Sequence, residues 1–320
     1  ECIEHHKSCD GNDLVELPTR VIDVGNTDTG QEPRLLLPER GAKGRYIALS
    51  HCWGLSSPTN PILRTEKETL AARIRGIPIT SMPQNFIDAI IAARKLRIQF
   101  VWIDSLCIIQ DSAEDWAREA AKMHNVYRNA FVTLAATSAQ SSQDGFAHRS
   151  PSECRPAQYV EGSVWNTRGW TFQERLLSRR VLHFSETVVV FECRAGTISE
   201  DNRPSASNVN RTPWLEAEPL GIFIQTWQHL SLEKRFLMQW YILVDRYCIR
   251  QLTQKMDKLP ALSGLAHEMA AFVGDEYLAG LWRRDLALGL LWNTVDRGDL
   301  QACETYRAPS WSWASIDGQI

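Results

Sequence analysis

The 320-residue chain lacks several patterns that would point directly to a function. No apolar run is long enough to span a bilayer, so we expect no membrane span. No basic block is present and the net charge is −3, which argues against nucleic acid as a partner. The phosphate-binding motifs GxGxxG and GxxxxGK[ST] are absent, as is the GxSxG motif of hydrolases. A classical dinucleotide site, a P-loop and a nucleophile elbow are therefore not expected.

The cysteines indicate the compartment. All eight are scattered along the chain, and several lie in apolar, strand-like runs. In a chain of this size, that distribution is typical of reduced, buried thiols rather than of a disulfide framework. No signal peptide is visible after Glu1, and a first residue other than Met is consistent with a sequence that begins inside a longer polypeptide. We therefore expect a cytoplasmic protein.

The N-terminal segment ECIEHHKSCD contains four side chains of metal-binding type, Cys2, His5, His6 and Cys9. Cysteine and histidine are the residues that bind structural zinc. One short cluster without a second pair of ligands is weak support for a site, however. An ordinary solvated segment is the favoured interpretation, so no metal and no cofactor is predicted.

The stretch 99–136 is the one around which the other elements are arranged. Residues 100–103 form an apolar run rich in β-branched and aromatic residues, which predicts a buried strand that stops at Asp104. Asp111 or Ser112 can cap the helix that follows, because acidic residues come next at capping-box spacing. The stretch therefore predicts a strand, a loop, a helix and a second strand.

One face of this predicted helix is apolar. It consists of Trp116, Ala120, Met123, Tyr127 and Ala130. Glu119 lies at the edge of that face, where a carboxylate loses hydration unless another group satisfies it. The plainer interpretation, which the pattern alone favours, is a structural carboxylate bonded to a backbone amide or an arginine. The functional interpretation is a working carboxylate just after the carboxyl end of a strand, where open α/β sheets bind ligands.

Strands and helices alternate between residues 45 and 136. Residues 46–49 predict a buried strand of the parallel type. Residues 83–96 repeat apolar side chains at helical spacing, and Ser81 with Gln84 fits a capping box. Because strands and helices follow one another in this way, the segment predicts a doubly wound parallel sheet.

The remaining sequence predicts shorter elements and three regions. The elements are strands at 17–24 and 34–37, a helix near 170–177, a hairpin of 181–184 and 188–193, loops at 195–219, helices between 223 and 291 with caps at Thr253 and Ser263, and a Trp-rich strand and turn at 307–320. The regions are an N-terminal flank at 1–44, an α/β core with an additional hairpin at 45–194, and a mainly helical C-terminal region at 195–320 that packs on the core.

Candidate nucleophiles stand at the end of the first core strand, where Ser50 and Cys52 flank His51. Neighbours on a strand point to opposite faces, so His51 cannot readily activate either residue. A serine or cysteine hydrolase is therefore disfavoured. Asp104 and Glu119 could form a carboxylate pair, although a strand-end turn explains Asp104 equally well.

One kind of reaction needs only a single well-placed carboxylate. Cleavage of the bond between nicotinamide and ribose in NAD⁺ passes through an oxocarbenium-like centre. Nicotinamide leaves as a neutral base, so no acid is needed to protonate it. A carboxylate that holds the ribose hydroxyls and faces the developing charge can supply much of the catalysis electrostatically. Glu119 fits that role in kind.

Three blocks of the sequence together resemble the signature of the fungal heterokaryon-incompatibility, or HET, domain. They are RYIALSHCWG (45–54), FVWIDSLCIIQDSAEDWAREAAKMHNVYRNAFVTLAA (100–136) and RGWTFQERLLSRRVLHF (168–184). The resemblance implies a role in non-self recognition and programmed cell death. HET domains are in turn remotely similar to TIR domains, which have a flavodoxin-like fold and in many cases cleave NAD⁺ with one glutamate. The resemblance thus implies a flavodoxin/TIR-like parallel sheet core.

The TIR similarity assigns roles to individual residues. Trp116 and Glu119 match the W-x-x-E context of the TIR glutamate, which makes Glu119 the expected catalytic residue. The strand end LSHCWG resembles the end of the first TIR strand and implies that Ser50 is near the site. The block at 168–184 has no obvious TIR counterpart. The residues expected to bind substrate are Ser50, His51, Trp53, Asp104, Trp116, Trp170 and Glu174.

Two functions of different classes remain open on the sequence. The first is an NAD⁺ glycohydrolase whose activity kills the cell, with NAD⁺ as substrate. TIR-type catalysis often needs self-association, so we expect this chain to self-associate. An upstream activator protein is a further expected partner. The second is a non-enzymatic signalling module in which Glu119 is a buried structural carboxylate. A lesser third is an enzyme that acts on another nucleotide.

Overall fold

The computed structural model describes most of the chain, in two compact units. The described residues are 2–6, 9, 14–26, 30–55, 61–148, 160–201, 231–294, 301–303 and 305–320. The first unit comprises Glu1–Asn166 and Leu177–Asn208, and the second comprises Thr167–Leu176 and Val209–Ile320. The division that sequence composition predicts at residue 195 stays a prediction.

The strands are short, and most belong to one sheet. They are β1 (Val15–Glu16), β2 (Val21–Asp23), β3 (Arg34–Leu36), β4 (Lys43–Gly44), β5 (Tyr46–Ser50), β6 (Phe100–Trp102), β7 (Val132–Ala135), β8 (Arg180–Phe184), β9 (Val189–Cys193), β10 (Gly196–Ser199), β11 (Tyr277–Leu278), β12 (Leu281–Trp282), β13 (Gln301–Ala302) and β14 (Ile316–Asp317). The α-helices are α1 (Cys2–His5), α2 (Lys67–Arg75), α3 (Gln84–Lys95), α4 (Asp104–Cys107), α5 (Ala113–Asn129), α6 (Val164–Thr167), α7 (Gly169–Leu177), α8 (Leu232–Cys248), α9 (Pro260–Val273) and α10 (Leu286–Gly289).

Eight strands of the first unit form one sheet in the order β10-β9-β8-β7-β5-β6-β2-β3. Its centre is parallel, since β5 pairs with β6 and β7, and β7 pairs with β8. Both margins are antiparallel, through β8-β9-β10 on one side and β6-β2-β3 on the other. The prediction of a parallel sheet is therefore confirmed for the centre, and the whole sheet is mixed.

The direction of winding changes at β5. Taken in chain order, the four parallel strands lie side by side in the order 2-1-3-4. Every residue of β5 is buried, as expected of a strand covered on both faces. In open α/β sheets, ligands bind outside the carboxyl ends of the strands where the order reverses. Ser50 is the residue at that end of β5.

Helix α5 begins and buries its apolar face as predicted. The Ser112 hydroxyl accepts a hydrogen bond from the Asp115 amide, so Ser112 is the N-cap. Asp111 does not cap this helix but accepts a hydrogen bond of 2.9 Å from the amide of Lys67. The apolar face contributes Ala120, Met123, Val126 and Tyr127 to the core. Residues on the opposite face, such as Lys122, are exposed.

The predicted capping box at α3 is wrong. The N-cap is Pro83, which has no side chain able to accept a hydrogen bond. Ser81 belongs instead to the 3₁₀ turn Ile79–Ser81, and its hydroxyl donates to the Pro78 carbonyl at 2.7 Å. The proline ring fixes the backbone angle φ at the start of the helix, so this helix begins without a polar cap. The spacing of Ser81 and Gln84 therefore did not identify its first residue.

The hairpins agree more closely with the sequence. Strands β2 and β3 pair antiparallel, as do β8 and β9, within a few residues of the predicted limits. Residues 196–199, predicted as loop, form β10 and extend the sheet beyond β9. The rest of the predicted loop, residues 202–219, lies outside the described residues. A loop prediction failed here because a polar edge strand has little apolar pattern.

Two predicted caps in the second unit are wrong. Thr253 caps none of the helices that the structure describes, and Ser263 lies inside α9, where its hydroxyl donates to the Pro260 carbonyl at 2.8 Å. Helix α9 begins with proline at its first position, where a missing N–H costs nothing. Helix α8 is capped by Ser231, whose side chain accepts from the Lys234 amide. Residues 223–230 of the predicted helical region lie outside the described residues.

The Trp-rich end of the chain contributes to the core of the second unit. A 3₁₀ turn, Trp313–Ser315, leads into β14, in agreement with the predicted turn and strand. The Gly280 carbonyl accepts hydrogen bonds from the indoles of both Trp240 (2.9 Å) and Trp313 (3.0 Å). Gly280 has φ +104°, and a Cβ there would lie 2.5 Å from the Trp313 indole nitrogen. Only glycine fits at this position.

Two further features concern the whole of the described chain. No helix in it combines the length and the apolar character that crossing a bilayer would require. None of its seven cysteines forms a disulfide, and five of them are buried whereas Cys2 and Cys303 are partly exposed. Cys154 lies outside the described residues.

Candidate functional site

A hydrogen bond joins the loop after β5 to the start of α4. The Trp53 indole donates a hydrogen bond of 2.8 Å to one oxygen of Asp104, and the other oxygen accepts the Ser105 amide at 2.7 Å. His51 Nδ1 lies 4.0 Å from Asp104 Oδ1, and its ring packs edge-on against Phe86. Three of the residues predicted to bind substrate, Trp53, His51 and Asp104, are therefore brought together at the carboxyl ends of β5 and β6.

A tryptophan fills the position where the strand order reverses. The Trp165 indole nitrogen donates a hydrogen bond of 2.7 Å to the Ser50 hydroxyl, and both residues are buried. Trp165 belongs to a buried apolar cluster with Cys52, Ala135 and Val181. In this conformation, the Ser50 hydroxyl faces the protein interior rather than an open crevice.

Glu119 lies on the second turn of α5 and is 4% exposed. Its Oε1 lies 3.2 Å from Arg118 Nε and 3.8 Å from Lys122 Nζ. Both cations reach it from the exposed side of the helix, with about half of each side chain in solvent. The plainer interpretation of the sequence gave this carboxylate a backbone amide or an arginine as its partner, and Arg118 is such an arginine.

A second carboxylate on α5 is more strongly paired. Asp115 accepts hydrogen bonds from Arg20 and Arg118, and from the Ile109 amide at 2.8 Å. Burial alone would raise the pKa of Asp115, but these bonds, led by Arg20, hold it below its usual value. Arg118 thus joins Asp115 to Glu119, and a network of charges fixes the start of α5.

Glu119 also lines a cavity of about 610 Å³ in the first unit. Its polar lining residues include Glu119, Lys122, Asn125 and Asn129 from α5, and Glu39 and Arg40 from the turn before β4. The volume is in the range of about 300–1,000 Å³ that small-molecule sites occupy. Three carboxylates, of which Glu119 is buried, line the cavity with two cations and two amides, so it contains groups that can bind both the hydroxyl groups and an anionic group of a ligand.

The predicted site residues are thus not all in one place. Glu119 lines the cavity, whereas Ser50, His51, Trp53 and Asp104 are not among the described residues that line it. Trp116 is partly exposed in the first turn of α5 and is also outside that lining. The substrate-binding roles of these residues stay predictions.

The last two predicted residues, Trp170 and Glu174, lie on α7 and belong to the second unit. The Trp170 indole donates a hydrogen bond of 2.9 Å to Asp257. Burial raises the pKa of Asp257, and the bond from Trp170 partly offsets that rise. Glu174 is 5% exposed. The structure therefore gives Trp170 a defined partner within its own unit.

The sequence prediction offered an arginine for Glu119 without saying which one, and it did not include Lys122. Asp115–Arg118 and Glu119–Lys122 are pairs at i,i+3, the spacing at which helical side chains meet. That signal was present in the sequence. Arg20, which pairs with Asp115, and Arg40, which lines the cavity, could not be identified in this way because each belongs to a distant segment of the chain.

The comparisons with known proteins support one family. Residues 46–161 match the model of the family described as Heterokaryon incompatibility protein (HET). No curated protein and no solved structure matches the chain. The matched segment contains β5 to β7, the Trp53–Asp104 cluster and Glu119. The chain therefore contains a heterokaryon-incompatibility (HET) domain, which implies a role in heterokaryon incompatibility.

Proposed function

We propose that this protein is an NAD⁺ glycohydrolase that acts through Glu119 as an effector of heterokaryon incompatibility and programmed cell death. The observation that carries the proposal is the buried Glu119 carboxylate in the lining of a cavity of about 610 Å³. The cavity also offers cations and amides, which suit the pyrophosphate and hydroxyl groups of a dinucleotide.

A flavodoxin/TIR-like core is part of the proposal. Support comes from the order 2-1-3-4 of the four parallel strands, which is the flavodoxin-like order without its fifth strand. The antiparallel strands on both margins are additions to that arrangement. The W-x-x-E pair Trp116 and Glu119 lies on the helix between the second and third parallel strands.

In the proposed reaction, water converts NAD⁺ into nicotinamide, ADP-ribose and a proton. The bond between ribose C1′ and the nicotinamide nitrogen breaks, and its electron pair leaves with nicotinamide as a neutral base. Glu119 accepts hydrogen bonds from the ribose hydroxyls and stabilises the positive charge that develops at C1′. Lys122 and Arg40 bind the pyrophosphate. Water then adds to C1′ and releases the proton.

A second candidate is a non-enzymatic signalling module. It is favoured by the ion pairs that Glu119 makes with Arg118 and Lys122, since a purely structural carboxylate makes such contacts as well. The buried Trp165–Ser50 contact in the crevice at the carboxyl end of β5 also suits this candidate. The two candidates differ in whether the charge of Glu119 is needed for chemistry.

Nicotinamide release from NAD⁺ by the purified full chain tests the proposal. It is measured over a wide range of protein concentration, because self-association is expected to promote activity. The decisive variant is Glu119→Gln, which keeps the size of the side chain and removes its charge. Glu114→Gln is the matched control, since Glu114 is exposed on the first turn of the same helix.

The expected result is release by the wild type and by Glu114→Gln, and a loss of 100-fold or more, about 3 kcal/mol of barrier, in a folded Glu119→Gln protein. Equal release by both variants would remove Glu119 from the mechanism. No release by the wild type at any concentration would support the signalling module. Thermal unfolding of each variant is the check that the fold is retained.

A further inference from the structure

We infer that the first unit contains a structural zinc site formed by Cys2, His6, Cys9 and Cys193. Three of these residues lie within the first nine positions of the chain, and the fourth ends β9. Their ligand atoms, three sulfurs and one imidazole nitrogen, all lie within 4.8 Å of one another. The sequence provided three of these residues but gave no reason to include the fourth.

The geometry fits a tetrahedral ion. His6 Nδ1 lies 3.4 Å from Cys193 Sγ and 4.0 Å from Cys9 Sγ. A tetrahedron with Zn–S bonds of about 2.3 Å and Zn–N bonds of about 2.0 Å separates its ligand atoms by about 3.5–3.8 Å. The four groups are therefore spaced so that small movements would bring each one to bonding distance from a common centre.

The chemistry of the ligands selects zinc. Three thiolates and one imidazole form a Cys₃His set, which is one of the usual structural zinc sites. Soft sulfur ligands disfavour magnesium and calcium, which prefer oxygen. Each thiol loses its proton to solvent on binding, and His6 binds as the neutral imidazole through Nδ1. Four protein ligands leave no open position, so the site is structural rather than catalytic.

A buried arginine supplies the charge that such a site needs. Zinc with three thiolates carries a net charge of −1. Arg180 is 3% exposed and stands opposite Cys193 in the β8–β9 ladder. Its guanidinium donates to the carbonyls of Cys9 and Phe131 and has no carboxylate partner among the described residues. A buried cation without a carboxylate is stabilised by an anionic cluster beside it.

The consequence is a cross-link between distant parts of the chain. His6 and Cys193 are 187 positions apart. Zinc at this point would fix the N-terminal segment to the edge of the sheet where β9 turns into β10. Metal binding then contributes directly to the stability of the fold, as it does in small zinc domains.

Metal analysis of the full chain, purified under reducing conditions from zinc-supplemented medium, tests the inference. The expected content is about one zinc per chain. Replacement of zinc by Co²⁺ should give the intense visible bands of tetrahedral cobalt together with sulfur-to-cobalt charge transfer. Removal of zinc by a chelator should lower Tm by about 5 °C or more, and added zinc should restore it.

Two pairs of variants separate the site from its neighbours. His6→Ala is compared with His5→Ala, because His5 is an exposed neighbour outside the cluster. Cys193→Ser is compared with Cys248→Ser, which alters a buried thiol of the second unit. Only the first member of each pair should lose the metal.

Three results would overturn the inference. One is a reduced wild-type chain that takes up neither zinc nor cobalt. Another is a disulfide among Cys2, Cys9 and Cys193 in the protein as isolated. The third is equal metal content in the His6 and His5 variants. The cobalt titration of the wild type does not depend on any variant, so it decides the question even where a variant fails to fold.

Discussion

The Trp165 indole donates its hydrogen to the Ser50 hydroxyl at 2.7 Å, across 115 positions of sequence. The two residues meet at the carboxyl end of β5, where the order of the parallel strands reverses. Proteins of this architecture commonly bind ligands at such a point. Here an aromatic side chain occupies that place, and the cavity that contains Glu119 lies elsewhere in the first unit.

We predict that Ser50→Ala lowers the free energy of unfolding by about 1–3 kcal/mol, because it leaves a buried indole N–H without an acceptor. Trp165→Phe removes the donor, and the double variant should cost less than the sum of the two single variants. Urea unfolding of the four proteins measures this coupling. A Ser50→Ala protein of full stability that binds NAD⁺ poorly would instead support the substrate-binding role predicted from the sequence.

Asp115→Asn should lower the free energy of unfolding by about 3–5 kcal/mol at pH 7, since it leaves the buried Arg20 without the carboxylate that neutralises its charge. The pKa of Asp115 is held below its usual value of about 3.9, so its contribution is present above that pH. It is lost as the pH falls through the lowered pKa. Chemical denaturation is measured between pH 2 and 7, a range that includes the usual aspartate pKa of about 3.9. The free energy of unfolding should fall less on acidification in the variant than in the wild type. Equal pH profiles would contradict this assignment.

Lys122→Met should raise KM for NAD⁺ roughly tenfold and leave kcat nearly unchanged, if Lys122 binds the pyrophosphate of the proposed substrate. Half of the Lys122 side chain is exposed, which limits the effect. Lys95→Met, on the exposed end of α3, is the control. An equal fall in kcat and kcat/KM would mean that Lys122 acts in the transition state through Glu119 rather than on the pyrophosphate.

Cys107 and Cys248 should resist alkylation in the folded protein. Burial raises the pKa of each thiol to about 12, so at pH 8 only about one in ten thousand molecules carries the thiolate that reacts. A pulse of iodoacetamide followed by peptide mass spectrometry should label partly exposed Cys303 far sooner. Denaturant should remove the difference. Rapid labelling of Cys107 under native conditions would show that α4 opens readily.

Trp170→Phe should destabilise the protein by about 1–3 kcal/mol at pH 7 and by less at pH 4, because it removes a hydrogen bond to the Asp257 carboxylate. Burial raises the pKa of Asp257, and loss of the Trp170 bond raises it further. A carboxyl with a raised pKa stabilises the fold at low pH and loses that effect as the pH rises. Trp311→Phe, which alters an exposed indole, is the control. If the difference in free energy of unfolding between variant and wild type does not change with pH, only packing is lost.

Local patterns predicted much of the first unit. The apolar runs of β5 and β6, the periodic face of α5 and its Ser112 cap all depend on neighbours a few residues away. Such signals are strong because the strand and helix periods differ. The hairpin strands at both margins were also predicted within a few residues, and β10 was missed because its polar sequence has little apolar pattern.

Contacts between distant segments explain what the sequence could not predict. Ser50 has a buried indole as its partner, and Cys193 completes a cluster with residues near the start of the chain. Neither relationship has a spacing that a reader of the sequence could recognise. Pro83 and Pro260 start helices without a polar cap, so predictions based on Ser and Thr failed at both.

The position of β2 has a consequence for synthesis of the chain. Its only neighbour towards the centre of the sheet is β6, and Asp23 pairs with Phe100, 77 positions later. A ribosome that adds about 5–20 residues per second needs roughly 4–15 s to make that stretch. During this interval the hairpin of β2 and β3 has no sheet to join, and Val21 and Ile22, which become fully buried, remain in contact with water or with a chaperone.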